Sequence, residues 1–213
     1  MENVPNYKIS KITKIKSQTK YLIQIENFGE LICSEELLYK FKLLKNKILN
    51  DSELQRILKE QKQYDVKNKA LNYVSYKPRT EYQVKQKLFS LGFNNEDTEF
   101  AIQFLKEFGY LDDRAYAQSF SKDYLKRNPS GKRRLAQELK KRGININIIQ
   151  EICNSTYDSK NTYSLALQSA QKKLKSISYK SSDKQKNSLV QYLLRQGFEW
   201  DTIKYVLEDL NLK

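Results

Sequence analysis

The chain contains no histidine, which removes the commonest general base and metal ligand. Its two cysteines, Cys33 and Cys153, are too few and too far apart for a metal site or a disulfide framework. Buried, reduced thiols are the expectation, with no metal and no other cofactor. No apolar run approaches the ~18 residues of a membrane span, and no signal peptide opens the chain. A cytoplasmic protein without a membrane partner is expected. Also missing are a glycine-rich phosphate loop and a nucleophile elbow. The paired acids Asp112 and Asp113 have no histidine or third ligand nearby, so they suit helix capping better than metal binding or acid/base work. These absences predict a protein that is not an enzyme.

What is present argues for a folded, basic chain. Of 213 residues, 39 % are hydrophobic and 12 % aromatic, enough to oppose disorder despite 30 % charged residues. Fifteen tyrosines and nine phenylalanines offer small helical units bulky anchors. Thirty-nine basic residues against twenty-five acidic ones give a net charge of +14. Such an excess favours an acidic partner, most often nucleic acid. An AT-rich coding bias, which also enriches Lys, Asn and Ile, produces the same excess.

The strongest pattern is a repeat. Gly92, Gly143 and Gly197 lie 51 and 54 residues apart. Eight residues before them stand Val84, Leu135 and Leu189, and four before stand Leu88, Leu139 and Leu193. Phe93, Ile144 and Phe198 follow directly. The pairs Ala101 and Ile102, Ile152 and Cys153, and Val206 and Leu207 come later. A helix with apolar residues four apart, ended by a left-handed glycine, produces this pattern. The preceding Leu and the following Phe or Ile are the two side chains that meet in a Schellman cap. A second amphipathic helix then follows. A period of about fifty residues suits a three-helix unit better than the commonest two-helix repeats.

The fold expected is mainly α: tandem three-helix units in an elongated array, preceded by a small domain with an antiparallel sheet. Ile9, Ile12 and Ile15, then Tyr21, Ile23 and Ile25, then Leu31 to Cys33 after the turn Asn27-Phe28-Gly29 predict two or three strands. These should pack on following helices. Ser34 starts a short helix, Leu43 to Leu49 is a connector, and Asp51 or Ser52 opens another helix. The polar stretch Lys59 to Gln63 marks a boundary. The domains expected are 1–63, then repeats at 64–111, 112–158 and 159–213. Thr80 with Gln83, and Ser182 with Gln185, have capping-box spacing, and Asn94 or Asn95 caps the third helix of repeat one.

Charge is unevenly placed. From Lys122 to Gly143, nine basic residues face only Asp123 and Glu138. From Phe93 to Asp113, only Lys106 opposes six acids. Phosphate backbone suits the basic part, and a protein partner could read both signs; a solvated helix face would carry the same charges.

Three segments resemble the RecX family of regulatory proteins, modulators of the RecA recombinase. Arg79 to Leu88 (RTEYQVKQKL) is similar to the family's R-S-x-x-E-[LV]-x-x-K-L, with Thr80 for Ser and Gln83 for Glu. Gly109 to Ala117 (GYLDDRAYA) and Gly131 to Ile144 (GKRRLAQELKKRGI) resemble two further family motifs. The resemblance covers residue 64 onward; the third repeat carries the periodicity without a distinctive motif. It implies a non-enzymatic regulator, acting in recombination, DNA repair and the SOS response. Such a protein binds the RecA–single-stranded DNA filament and inhibits ATP hydrolysis and strand exchange. The partners expected are the RecA nucleoprotein filament and, non-specifically, single- and double-stranded DNA, with the protein itself a monomer. The residues expected to meet filament or DNA are Lys126, Arg127, Lys132, Arg133, Arg134, Lys140, Lys141 and Arg142, extended on repeat one by Lys77, Arg79, Lys85 and Lys87. The alternative is a non-specific DNA-binding helical module acting without RecA. Base-specific reading through a third helix is disfavoured, since Asn147 to Asn154 has no Arg or Lys and the third helix of repeat one is acidic.

Overall fold

The computed structural model describes residues 6–16, 19–179 and 181–212. Ten helices and four strands are present among them. The chain forms two compact units, one comprising residues up to Tyr76 with Lys87–Phe108, the other Lys77–Gln86 with 109–213.

In the first unit, β1 (Tyr7–Lys14), β2 (Lys20–Ile25), β3 (Gly29–Ser34) and β4 (Ile48–Leu49) form an antiparallel sheet in the order β3-β2-β1-β4. The β2–β3 turn uses Asn27 and Gly29, both at positive φ. Alternation buries Ile23, Ile25, Leu31 and Cys33 on one face. A register shift between Ile9 and Lys11 restores the phase of β1. That face packs on Leu37 of α1 (Glu35–Lys40) and on Leu54 and Ile57 of α2 (Asp51–Ser75). The expected Leu43–Leu49 connector thus ends in a fourth strand, β4, paired to Tyr7 and Lys8.

The polar stretch 59–63 is not a break. Helix α2 runs unbroken for 25 residues from a capping box of Asn50 and Glu53. Gln61, inside that stretch, is buried; it accepts from the Ser34 amide at 2.8 Å and donates to Asp65, which also pairs with Lys20 at 2.8 Å. Its polarity therefore fastens α2 to the sheet. Further along, α4 (Asn95–Glu107) packs on α2. Asn94 caps α4 by accepting from the Asp97 amide.

Helix α3 (Glu81–Ser90) begins in the second unit and ends in the first. The second unit continues with α5 (Asp113–Arg127), α6 (Lys132–Lys140), α7 (Ile146–Thr156), α8 (Ser159–Ile177), α9 (Ser182–Arg195) and α10 (Trp200–Asp209). One apolar cluster from Ala117 to Leu207 joins α5–α7 to α8–α10. Of the periodic apolar residues, all are buried except half-buried Phe93.

Each expected glycine cap forms. The amides of Phe93, Ile144 and Phe198 donate to the carbonyls of Leu88, Leu139 and Leu193 at 3.2, 3.3 and 3.2 Å. The glycine amides donate to the carbonyls three residues back, and all three glycines have positive φ. This is the bond pair of a Schellman motif. Thr80 and Gln83 form the reciprocal capping box at 3.3 and 3.2 Å. In α9 the expectation fails by one residue. Ser181 holds the N-cap position and Ser182 is already helical, while the Gln185 side chain donates to the Ser178 carbonyl.

The capped ends also receive the starts of other helices. The Thr80 hydroxyl donates to the Arg142 carbonyl at 2.7 Å, and Tyr82 lies against Gly143, where an added Cβ would sit 2.2 Å from the tyrosine Cβ. The Gly131 amide donates to the Gln196 carbonyl at 2.9 Å, and a Cβ on Gly131 would meet the Gly197 carbonyl oxygen at 2.1 Å. So α3 starts on the end of α6, and α6 starts on the end of α9. Each contact sets an electropositive helix start against electronegative carbonyls.

These contacts rank substitutions. Gly92→Ala meets no atom within 4 Å and should cost only the left-handed penalty of about 1–2 kcal/mol. Gly143→Ala should lose more by displacing Tyr82. Gly131→Ala, with an ordinary negative φ, should still cost about 1–3 kcal/mol or more, because backbone blocks its methyl. Thermal melts of the three variants check that order.

Cys33 and Cys153 are 0 % and 1 % exposed. Burial, then the nearby Asp65 charge, raises the Cys33 thiol from 9.0 to about 11. Neither thiol should react with a thiol reagent at pH 8 until the protein unfolds. The thiol is raised in the folded state, so the stability linked to Cys33 is fully present below pH 9.0 and lost as pH rises through about 11. Cys33→Ala should flatten that alkaline loss in denaturant titrations at stepped pH.

Candidate nucleic-acid interface

Helix α6 buries Leu135 and Leu139 and turns its basic residues outward. The sole acid in this helix, Glu138, organises three cations, Arg134 within α6 and Lys141 and Arg142 just past its end. Its carboxylate lies 2.9 Å from Lys141 Nζ, 3.1 Å from Arg142 Nη1 and 3.8 Å from Arg134 Nη2. Hydrogen bonds from Lys141 and then Arg142 hold the Glu138 pKa below its ordinary range, although burial pushes the other way. One negative and three positive charges leave this cluster with an excess of two.

Helix α5 supplies an aromatic backing. Tyr116, Phe120 and Tyr124, spaced by four, stack with centroids 6.2 and 5.5 Å apart. The Arg142 guanidinium sits 3.9 Å above the Phe120 ring, within cation–π range. Tyr124, and then Glu138, push the Arg134 pKa above its ordinary value. Arg142 is therefore fixed in direction by Phe120 and by Glu138 rather than free to sweep solvent.

The other expected residues fall into distinct settings. Arg133, Lys140 and Lys126 are exposed and have no acidic partner among the described residues, as does Lys122, which was not among those expected. Lys132 donates to the Asn154 side chain at 2.9 Å, and Arg127 to the Asp123 carbonyl. On α3, Lys85 pairs with Glu81 at 2.8 Å; ahead of the helix, Arg79 is half-buried next to Thr80 and Lys77 is exposed. Lys87, in the first unit, is exposed. The structure thus gathers Arg134, Lys141 and Arg142 closely, and the Thr80–Arg142 bond brings the start of α3 to the same end of α6.

The acidic stretch of repeat one is largely engaged. Glu96 pairs with Lys59 at 3.6 Å and Asp97 with Lys62 at 2.6 Å, both across to α2. Asp112 accepts from the Arg114 and Ala115 amides at the start of α5, and Asp113 from the Glu81 amide at the start of α3. Both carboxylates are helix caps. Among the described residues no group of three or more acids or cysteines could hold a metal ion. Nor is any helix there long and apolar enough to cross a membrane. Third helix α7 carries no Arg or Lys, so it presents nothing to pair with guanine in a groove.

Sequence reasoning missed the aromatic ladder and the Thr80–Arg142 bond. The i, i+4 spacing of Tyr116, Phe120 and Tyr124 was a usable signal for the ladder. Nothing local signals a bond across 62 residues.

Comparison with known proteins agrees with this geometry. Three family models match in order: RecX, first three-helix domain, at residues 67–105; second three-helix domain at 112–152; and third three-helix domain at 161–207. The chain is 32 % identical over 206 residues to the regulatory protein RecX of Clostridium acetobutylicum, covering 93 % of this chain and 95 % of the relative. It is 32 % identical over 203 residues to that of Clostridioides difficile, covering 93 % and 95 %. A crystal structure of a regulatory protein RecX superposes with a TM-score of 0.75 at 24 % identity, over 95 % of this chain and 99 % of the other, a likeness of fold. The RecX crystal structure from Lactobacillus salivarius gives 0.64 at 28 % identity, over 71 % and 98 %. With three of its domains in order along most of the chain, this protein belongs to the RecX family of regulatory proteins.

Proposed function

We propose that this protein is a non-enzymatic regulator that binds the RecA–single-stranded DNA filament and inhibits its ATPase and strand-exchange activities. It acts as a monomer in the cytoplasm and touches DNA through the phosphate backbone. The observation that carries the reading, beside family membership, is the cation cluster around Glu138, flanked by exposed, acid-free Arg133, Lys140, Lys126 and Lys122. A polyanionic partner pairs with such a surface and releases counterions. The absence of basic residues from α7 favours sequence-independent contact.

The Glu138 network also directs the choice of variant. Removing Arg134, Lys141 or Arg142 would leave a half-buried carboxylate short of partners. Replacing Lys122, Lys126, Arg133 and Lys140 with alanine together removes charge without that side effect.

RecA's DNA-dependent ATP hydrolysis should be measured with this protein well below one copy per RecA and with excess DNA. The wild-type chain should inhibit. The quadruple alanine variant, folded by circular dichroism, should inhibit less, with a salt slope reduced by ~0.7 per lost contact to single-stranded phosphate. Unchanged inhibition by that variant overturns the interface. No inhibition by the wild type, with salt-sensitive DNA binding retained, points instead to a DNA-binding module acting without RecA.

A further inference from the structure

A cleft of about 510 Å³ opens in the second unit among α5, α7 and α8. That volume lies within the range of small-molecule sites. Its floor is apolar, formed by Leu125, Ile152 and Leu165. Amides stand at its sides, Gln118 from α5 and Gln168 from α8. Lys122 and Lys126 line it one helical turn apart, and no carboxylate is among the lining residues.

Each part constrains the ligand. Two ammonium groups at i, i+4 repel each other, and neither has an acidic partner among the described residues. An anion set between them would relieve that repulsion. A third amine, Lys172, lies one turn beyond Gln168 on α8 and donates to the Arg127 carbonyl at 3.3 Å, adding positive charge beside Lys126. The apolar floor suits a planar ring. Side-chain amides both donate and accept, as the edge of a nucleobase requires. Ring, polar edge and anion together describe a nucleotide.

We infer that this cleft binds a nucleoside phosphate, its base on Leu125, Ile152 and Leu165 and its phosphate at Lys122 and Lys126. The ligand can be a free nucleotide or one nucleotide of a bound single strand. This goes beyond the filament reading, since a free nucleotide needs neither RecA nor a filament.

The test is methyl NMR of the full chain, following Leu125, Ile152 and Leu165 during titration with ATP, thymidine monophosphate, an oligothymidylate or inorganic phosphate. Shifts of these methyls with a mononucleotide establish the free-ligand form. Shifts with the oligothymidylate alone assign the site to a strand nucleotide. In either case, Lys122→Ala with Lys126→Ala should weaken binding roughly tenfold or more. Gln168→Trp, an exposed rim position, should block the floor shifts. Floor methyls that stay silent with every nucleotide, or that respond equally to inorganic phosphate, overturn the inference. RecA ATPase inhibition is measured separately with Arg133→Ala and Lys140→Ala together, which leave the cleft lining untouched, so failure of one reading is told apart from failure of the other.

Discussion

A helix must find donors for its last four carbonyls, and in this chain that requirement sets how the helices are joined. Helices α3 and α6, at ten and nine residues, are too short to stand alone in water. A left-handed glycine turns the chain so that the following amides satisfy the terminal carbonyls, and Ile144 or Phe198 folds back into the core. One carbonyl at each joint, of Arg142 and of Gln196, is left to accept from the start of another helix. The start of α3 is thereby fastened to the end of α6, and the start of α6 to the end of α9, with Thr80 and Gly131 as the fastening points. The shared apolar cluster of α5–α10 supplies the core of the second unit, and the capped ends tie the helices that line it.

Charge follows from that scaffold. Leu135 and Leu139 commit one face of α6 to the core, so its basic residues have only the outer face. Glu138 then gathers Arg134, Lys141 and Arg142, and the Phe120 ring of α5 holds the Arg142 guanidinium. A flexible lysine surface would lose side-chain entropy on meeting a phosphate; a guanidinium already seated on Phe120 loses less. Glu96 and Asp97 of α4, with Asp112 and Asp113, are turned toward lysines or backbone amides.

Much of this was legible in the sequence for a specific reason. Glycine at a helix end, leucine four before it and an apolar residue after it are demanded by backbone geometry, so three copies were readable without a partner in view. The same holds for Thr80 with Gln83. Other features depend on distant residues. Gln61 looked like a surface residue in a polar linker because its partner, the Ser34 amide, lies 27 residues away. Strand β4 has two residues and exists only through pairing with β1, and the spacing of Ser182 to Gln185 placed the start of α9 one residue late, Ser181 being the N-cap. At the site, the basic run of α6 was evident. Which cations Glu138 would hold, and that Lys122 would be exposed without a partner, depended on side-chain directions that spacing leaves open.

The meeting of Gly131 with Gly197 bears on what this chain can become under mutation. Most crowded contacts can be relieved by trimming a neighbour, since the obstacle is a side chain. Here a methyl on Gly131 would run into the Gly197 carbonyl and the Phe198 amide nitrogen, atoms that every amino acid shares. No substitution in the facing segment removes them. The site admits no second-site suppressor by side-chain replacement, and only a shift of one helix relative to the other, within the core they share, would make room.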